Sequence, residues 1–337
     1  MNFVGIDLHK KTISLCVVNQ AREVLDRKRF YCSDPERIVA FFESIKPFHV
    51  VVEATASYEW LLALLEPLAE RVVLAHPKKM RVIAESTRKS DKLDAQVLAE
   101  FLALDMIPES YRPSKRERAH RILVRQRYYL SRRLTSVRNK IRRVLSNYNA
   151  DREDLFTEKG LAYLSKTSVL EADRFVLDQL ISEWQSYTEQ MKEADKRLSS
   201  FAKDATVKES EARAVLDTIP GVGPVTIDVV ISELGDIRRF RSQKKVCAYA
   251  GLVPGQRESA GRSRELGITK EGPRLLRWVL VQAAWRLTNT TARWRSIFEG
   301  LVKRRGKKKA IVAIARRLLC VMASMLQSGR GYKAAMV

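Results

Sequence analysis

Four carboxylates stand at positions where predicted strands end or a predicted helix begins. Asp7 and Glu53 each lie at the end of a short apolar run, and Asp91 and Asp94 are three residues apart in SDKLDAQVLAEFL. A spacing of three places two side chains on one face of a helix. Four acids brought together would repel one another unless a cation neutralised them. Carboxylate oxygens suit Mg²⁺, and two such ions about 4 Å apart can hold the attacking and leaving oxygens of a phosphodiester.

Each acid also has an ordinary explanation when it is taken alone. An aspartate at a strand end is often a turn residue, and Asp91 could cap a helix. The order along the chain is more specific, because it combines an Asp in the first strand, a Glu in the fourth and a D-x-x-D pair on a later helix. The sequence therefore predicts a centre for two Mg²⁺ ions formed by Asp7, Glu53, Asp91 and Asp94.

The elements that would position these acids follow an α/β pattern. Short runs typical of strands are followed by alternating helices and strands, and helical segments continue to about residue 104. The predicted strands are 3–8, 13–18, 27–32, 48–52 and 72–75, and the predicted helices between them are 36–45 and 57–68. This order is expected of a ribonuclease-H-like domain, assigned to residues 1–108. If its first and fourth strands are neighbours, Asp7 and Glu53 end side by side.

Residues 109–208 have a different character, and we predict a long helical arm there. Two apolar series have the alternating spacing of three and four that is typical of a coiled-coil seam. They are Leu130, Leu134, Val137, Ile141 and Val144, and then Leu177, Leu180, Trp184, Tyr187, Met191, Ala194 and Leu198. An irregular stretch, about 149–172, separates them. The pattern predicts either an antiparallel coiled-coil arm or a dimerising seam.

The first helix of this arm is strongly basic. Residues 112–143 contain thirteen Lys or Arg and one acid, Glu117. A charged run is often only a solvated face, but such faces usually mix signs. We therefore predict a nucleic-acid contact that includes Arg125, Arg132 and Arg133.

The whole chain is also basic, with 62 Lys and Arg against 39 acidic residues and a formal net charge of +23. Such a charge attracts polyanions, either nucleic acid or a membrane surface. No uninterrupted apolar run reaches the roughly 18 residues of a membrane span, so we expect nucleic acid and no membrane. The start of the chain does not resemble a secretion leader. Four scattered cysteines without a C-x-x-C pair indicate a reducing compartment, and we expect a cytoplasmic, nucleoid-associated protein.

Residues 209–337 are predicted to form a mainly α-helical domain, with helices at 273–290, 293–302 and 308–327. Its segment IPGVGPVTI resembles a helix-hairpin-helix turn, in which Gly221 and Gly223 would let backbone amides approach a phosphate. A plain glycine-proline turn between packed helices is the alternative. A glycine-rich loop, 251–272, follows. Cations in and after it are candidate phosphate contacts: Arg262, Arg264, Lys270, Arg274 and Arg277.

Several blocks of the sequence resemble the DEDD-type insertion-sequence transposases. The N-terminal blocks are GIDLHK, VVEATASYEW and KSDKLDAQVLAEFL, and the C-terminal ones include IPGVGPVTIDVVISELGDIRRF and KKKAIVAIARRLL. The resemblance implies an N-terminal domain similar to the Holliday-junction resolvase RuvC. It also implies a nucleophilic serine in the C-terminal glycine-rich loop, at the position of Ser259, with Ser263 as the nearest competitor. The chain has Ala56 and Ala260 where the family more often has glycine.

The resemblance further implies DNA cutting and rejoining through a covalent 5′-phosphoserine intermediate. It implies a structured bridge RNA that pairs with donor and target DNA, and assembly as a dimer or tetramer. Three alternatives remain open from the sequence: a site-specific invertase of the same architecture, a junction-resolving nuclease that uses water, and a non-catalytic, domesticated nucleic-acid-binding protein.

Overall fold

The structure is a computed structural model that describes residues 1–54, 57–83, 91–259 and 262–333; the side chains at 91–93, 256–259 and 262–265 are outside the description. The chain divides into two compact units, Met1–Arg112 and Pro113–Val337. The predicted separation of an arm (109–208) from a C-terminal domain (209–337) stays a prediction.

A five-stranded mixed sheet forms the centre of the first unit. Its strand order is β3-β2-β1-β4-β5, so the first and fourth strands are neighbours. The first three strands are antiparallel, and β1, β4 and β5 are parallel. The strands are β1 (Asn2–Leu8), β2 (Thr12–Val18), β3 (Val24–Tyr31), β4 (Phe48–Glu53) and β5 (Arg71–Ala75). All five predicted strands are present, which confirms the mixed α/β character of this unit.

Helices cover both faces of this sheet. They are α1 (Pro35–Ser44), α2 (Glu59–Leu65), α3 (Pro77–Ile83) and α4 (Asp91–Ala103). The first begins where Asp34 accepts a hydrogen bond from the amide of Arg37, with a proline in its first turn. It packs with α2 on the face that carries Val4 and Ile6. The opposite face is covered by α4, through Ala95, Leu98, Ala99 and Leu102.

The contact between α4 and the sheet is unusually close at Gly5. A Cβ atom placed on Gly5 would lie 2.1 Å from the carbonyl oxygen of Ala95 and 2.4 Å from the amide nitrogen of Ala99. The backbone of α4 therefore rests directly on the backbone of β1. Because no other residue lacks a Cβ, glycine is what permits this approach.

Two long antiparallel helices begin the second unit. They are α5 (Lys115–Ser146), which starts with a capping box between Ser114 and Glu117, and α7 (Glu171–Lys203). Near one end of the pair, Arg127 contacts Asp195 at 2.5 Å, and near the other Tyr148 donates to Asp173. The predicted seam is confirmed, since its members are buried or half-buried between the helices.

The prediction of an irregular connection between the two long helices is wrong in part. A helix, α6 (Glu158–Lys166), lies there, capped by Thr157 and buried through Gly160 and Leu164. At nine residues it is too short for its apolar spacing to stand out in the sequence.

Helices also dominate the rest of the second unit. They are α8 (Val207–Asp217), α9 (Pro224–Leu234), a 3₁₀ turn (Ile237–Arg239), α10 (Gln243–Tyr249), α11 (Arg274–Thr290), α12 (Ala292–Arg305) and α13 (Lys307–Ser328). Their shared core includes Leu276 and Leu280 from α11 and Leu318 and Met322 from α13. Among the helices of the described ranges, α13 alone is long and apolar enough to cross a membrane by length and composition, with a mean hydropathy of 1.6, but 56% of that window is buried.

The predicted glycine-rich loop 251–272 contains regular structure, so its assignment as a loop is wrong in part. Strands β6 (Pro254–Ser259) and β7 (Arg262–Ile268) pair antiparallel as a hairpin. Most of their residues are charged, polar or glycine, so the sequence lacks the apolar alternation by which a half-buried strand is recognised.

Candidate active site and nucleic-acid interface

Asp7 and Glu53 lie at matching ends of two neighbouring parallel strands. The register pairs Ile6 of β1 with Val52 of β4, and the two acids are the next residues along each strand. Side chains alternate between the faces of a sheet, so Asp7 shares the face of Gly5, and Glu53 shares the face of Val51. This is the face that α4 covers. Neighbouring strands thus bring the two predicted acids to one sheet edge.

The other two predicted acids belong to the helix above that face. Asp94 is exposed and directly precedes Ala95, the residue whose carbonyl oxygen rests on Gly5. Asp91 begins α4, and its side chain lies outside the described residues. The predicted helical placement of the D-x-x-D pair is confirmed.

Asp7 has a close partner that the sequence reasoning missed. The Nε2 atom of His9 lies 3.1 Å from Oδ2 of Asp7, whose side chain is 13% exposed. The buried Ser14 lies opposite Asp7 on β2. The available signal was proximity in the sequence, since His9 directly follows the end of β1 and stands two residues after Asp7.

The described side chains include no group of three or more His, Cys, Asp or Glu placed closely enough to hold a metal ion. Because Asp91 is outside that description, this finding leaves the four-ligand centre a prediction. The donor chemistry fits a divalent cation: two half-buried carboxylates share one sheet face, and a third acid lies on the covering helix. Carboxylate oxygens are what Mg²⁺ prefers.

Ser259 is the last residue of β6, at the closed end of the hairpin. Its Cα atom is paired with that of Arg262 across the two strands. The side chains of Ser259, Arg262, Ser263 and Arg264 lie outside the described residues, as do Ala260 and, in the first unit, Ala56.

The base of the hairpin is held by backbone contacts. Gly251 and Gly272 both have positive φ angles, and a Cβ on Gly272 would lie 1.9 Å from the carbonyl oxygen of Tyr249. The guanidinium of Arg277 donates to the carbonyl oxygens of Ala250, Glu271 and Gly272. This gives Arg277 a structural role at the hairpin base that the sequence did not predict. Lys270 lies in the same turn with a φ of 56°, and Arg274 is exposed at the start of α11.

The IPGVGPVTI segment forms a turn between α8 and α9, as predicted. Ile219 and Val222 are buried and anchor it, and Gly221 has a φ of 74° beside Arg286. Gly223 caps α9, and a Cβ placed there meets nothing within 4 Å. The open space over this helix N-terminus suits the approach of an anion. Phosphate binding by the two glycines stays a prediction.

The cations of α5 fall into two groups. Near the start of the helix, Arg125 makes a two-pronged ion pair with Glu233, both contacts being 3.0 Å, and Glu233 is only 1% exposed. The hydrogen bond to Glu233 raises the pKa of Arg125, although burial opposes it. Further along, Arg132 and Arg133 are exposed and lie over the rings of Tyr128 and Tyr129. Arg125 thus compensates a buried carboxylate, whereas the other two present charge at the surface.

A buried polar network joins the start of α5 to α8 and α9. Nε2 of His120 lies 2.9 Å from Oδ1 of Asp228, and Arg213 contacts both Asp228 and Glu209. Burial pushes the pKa of Glu209 upward, but hydrogen bonds from Arg116 and Arg213 outweigh it, and the pKa is lowered. The network fixes the helix that follows the glycine turn against the arm.

Two cysteines approach each other in the core of the second unit. The Sγ atoms of Cys247 on α10 and Cys320 on α13 are 3.4 Å apart. The hydrogen bond from Cys320 lowers the pKa of Cys247, and Arg316 adds to that effect. The sequence showed only that the two cysteines are far apart along the chain.

Comparisons with known proteins match both units. Residues 4–150 match the family described as a DEDD transposase, and residues 213–299 match the "Transposase IS116/IS110/IS902 family". The transposase for insertion sequence element IS1111A of Coxiella burnetii is 26% identical, over 99% of this chain and 92% of its own length. The transposase for insertion sequence element IS1328 of Yersinia enterocolitica is 25% identical, over 94% of each chain. A pilin gene-inverting protein of Moraxella bovis is 25% identical, over 98% and 97%.

Proposed function

The chain belongs to the IS116/IS110/IS902 family of transposases, which are DNA-recombining enzymes, and on that premise we propose how its residues share the reaction. Asp7, Glu53, Asp91 and Asp94 hold the metal, and Ser259 is the nucleophile. The metal-site proposal is supported by the placement of Asp7 and Glu53 at matching ends of adjacent parallel strands, beneath the helix that carries the aspartate pair.

The fold proposed for the first unit is ribonuclease-H-like, similar to RuvC. Three antiparallel strands, followed by two parallel strands on the other side of β1, support this assignment. The arrangement brings the ends of β1 and β4 together, and α4 rests directly on Gly5. All four acids therefore lie on rigid elements, one on each strand and two on the helix. Such elements position the residues of a site more precisely than loops do.

Membership of a DEDD family suggests dependence on a divalent metal, and we propose two Mg²⁺ ions. When bound, such ions would stabilise charge on the oxygens of the phosphodiester that reacts. The protein's own contribution is orientation. Nε2 of His9 lies 3.1 Å from Asp7 and fixes that carboxylate on the face beneath α4.

The proposed covalent step uses the hydroxyl of Ser259. Its Oγ attacks the phosphorus of a DNA phosphodiester, a new O–P bond forms, and the bond from phosphorus to the 3′ oxygen breaks. The serine hydroxyl gives its proton to a base, and the 3′ oxygen takes up a proton. The products are a 5′-phosphoserine and a free 3′ hydroxyl. In the reverse step, the 3′ hydroxyl of another strand attacks the phosphorus of the phosphoserine, the serine oxygen leaves, and the two DNA ends are joined. The clamped hairpin base supports this role, because it fixes the strand that ends at Ser259.

Strand cleavage by the purified protein tests this division of roles. The substrate is supercoiled DNA that carries the element's own ends, and the readouts are nicking and a protein–DNA adduct resistant to denaturant. We expect Ser259→Ala to lose both adduct and cleavage, and Asp7→Asn to lose both while it still binds DNA. Ser263→Ala is the matched control and should retain both.

The same assay separates the rival mechanisms. A Ser259→Ala protein that cleaves without an adduct indicates a nuclease that uses water as its nucleophile. Cleavage unaffected by Asp7→Asn would exclude the proposed metal centre. A wild-type protein that binds these ends without cleaving them, in the presence of Mg²⁺ and of RNA that co-purifies with it, indicates a non-catalytic, domesticated binder.

Site-specific inversion is the second candidate, favoured by the pilin gene-inverting proteins among the relatives. A plasmid with two recombination sites in inverted orientation tests it. Inversion of the intervening segment, without insertion elsewhere, would support an invertase. Insertion of the element at a new site would support a transposase.

The partners proposed are donor and target DNA, a bridge RNA and further copies of this chain as a dimer or tetramer. The basic surface supports the two nucleic acids, since Arg132, Arg133 and Arg274 are exposed on the second unit. Arg262, Arg264, Lys270 and the turn glycines Gly221 and Gly223 belong to the same proposed surface, in a cytoplasmic, nucleoid-associated protein. Sequencing of RNA that co-purifies with the protein and light scattering of the purified complex test these proposals. A protein that is free of RNA, monomeric and still active would contradict them.

A further inference from the structure

The side chain of Trp278 is 43% exposed, although it belongs to a helix whose neighbouring positions are in the core. Leu275 and Val279, on either side of it in α11, are buried. The indole ring lies against the ring of Tyr128 on α5, with centroids 5.4 Å apart and planes inclined by 52°. The two aromatic side chains therefore form a fixed pair at the surface of the second unit.

This aromatic pair lines a small cleft that reaches the first turn of α9. Val225, in the first turn of α9, lines the same cleft as Tyr128 and Trp278. Gly223 stands two residues before Val225, and a Cβ added to Gly223 would meet nothing within 4 Å. The cleft thus places aromatic rings beside a helix N-terminus over which there is open space.

The surroundings of the pair are positively charged. The guanidinium of Arg132 is 6.0 Å from the centroid of the Tyr128 ring. Arg274 is exposed and stands one helical turn before Trp278, on the same side of α11. Arg286 lies beside Gly221 at the other end of the turn. A ligand that offers a flat apolar ring and a negative charge would complement the aromatic pair together with Arg132 and Arg274.

We propose that Trp278 and Tyr128 form a stacking site for an unpaired nucleotide of DNA, whose phosphate Arg132 or Arg274 contacts. Aromatic side chains stack on bases whose faces are open, and bases inside a duplex are already covered by their neighbours. Cutting and rejoining exposes such nucleotides, so the site rests on the recombination activity proposed above. DNA is favoured over RNA because α11 directly follows the hairpin that carries Ser259, the residue proposed to attack a DNA strand.

A second copy of this chain fits the surface less well. In a two-fold contact, the same patch of both copies would meet. Arg132 and Arg274 of one copy would then face the same cations of the other, and like charges placed together are unfavourable. The charge around Trp278 thus favours a polyanion.

Binding measured with labelled oligonucleotides tests the site. Fluorescence anisotropy compares a fully paired DNA, the same DNA with an internal single-stranded gap, and an RNA strand with the sequence of the gap region. Alanine in place of a stacking aromatic residue weakens single-strand binding by on the order of 10-fold. We expect this loss in Trp278→Ala for the gapped DNA only, and Trp278→Phe should restore most of it. Phe175→Ala is the matched control, because Phe175 is an exposed aromatic residue near the far end of the arm.

Three results would overturn the proposal. One is an equal loss of affinity for paired and gapped DNA in Trp278→Ala, with an unchanged melting temperature. Another is a change in oligomeric state, which would assign Trp278 to an interface between copies. The third is a Trp278-dependent affinity for the RNA strand that exceeds that for gapped DNA. Ser259→Ala should keep the preference for gapped DNA while it loses the covalent adduct, so failure of either proposal is distinguishable from failure of the other.

Discussion

Substitution of Gly5 by alanine should separate α4 from the sheet that carries Asp7. The added Cβ would lie 2.1 Å from the carbonyl oxygen of Ala95, whereas ordinary contacts of this kind begin at 3.4 Å. Neither backbone can yield by a change of rotamer. The helix must therefore move away from β1 by about 1 Å at this contact.

The cost of this retreat can be estimated from the packing that it disturbs. Overpacking a core usually costs about 1–3 kcal/mol, and backbone contacts belong at the upper end of that range. Ala95, Leu98, Ala99 and Leu102 are all buried against the sheet and lose contact together. A loss of about 3 kcal/mol in the local opening free energy corresponds to roughly 100-fold faster exchange of the protected α4 amides.

Hydrogen–deuterium exchange, read peptide by peptide, measures this effect within the first unit. DNA cleavage should fall by on the order of 100-fold in the same variant, because a displacement of 1 Å can cost that much in a positioned site. Gly300→Ala is the control. Gly300 lies inside α12, and a Cβ there meets nothing within 4 Å. That substitution should stabilise the protein by about 0.5–1 kcal/mol. Wild-type exchange of α4 amides in Gly5→Ala would refute the direct contact between α4 and β1.

Three further predictions concern the second unit. Arg125→Ala leaves the carboxylate of Glu233 buried without its partner and should lower the free energy of unfolding, measured with a chemical denaturant, by about 1–3 kcal/mol. Adding Glu233→Gln should recover part of that loss, and additive effects of the two substitutions would refute the pairing. The folded state lowers the pKa of Glu209, so the ionised carboxylate stabilises the folded protein fully above its unfolded pKa of about 4.3, and this stabilisation is lost as the pH falls through the folded pKa. The free energy of unfolding of Glu209→Gln should therefore depend less on pH below about 4. An unchanged pH profile would contradict this. Mild oxidation should join Cys247 and Cys320, whose sulfurs are 3.4 Å apart, with loss of two hydrogen atoms to the oxidant; a peptide map that shows only mixed or intermolecular disulfides would count against their proximity.

The strands and the placement of the acids were accessible from the sequence because both depend on local pattern. Apolar runs marked β1 and β4, and the spacing of three marked Asp91 and Asp94 on one helix. The close approach at Gly5 was not accessible. Nothing near Gly5 in the sequence shows that residues 95 and 99 will lie against it, since that contact depends on how α4 folds back over the sheet.

The roles of individual arginines were also beyond local reasoning. Arg125 and Arg132 stand on the same basic helix, but Arg125 pairs with an acid 108 residues away. The hairpin whose first strand ends at Ser259 was missed for another reason. Its strands are too polar to show alternation, and they are recognised only through their mutual hydrogen bonding.

The ion pairs of the arm have a consequence for binding measured at different salt concentrations. Each phosphate that a protein cation neutralises releases condensed counterions, so the logarithm of the affinity falls by about 0.9 per contact for each tenfold rise in salt. Arg116, Arg125 and Arg127 already contact carboxylates of the protein itself. Because these carboxylates already neutralise them, the three arginines contribute little to the neutralisation of DNA phosphates. The salt dependence of DNA binding should therefore be shallower than the number of basic residues in α5 suggests. The cations near the start of that helix should contribute little to it.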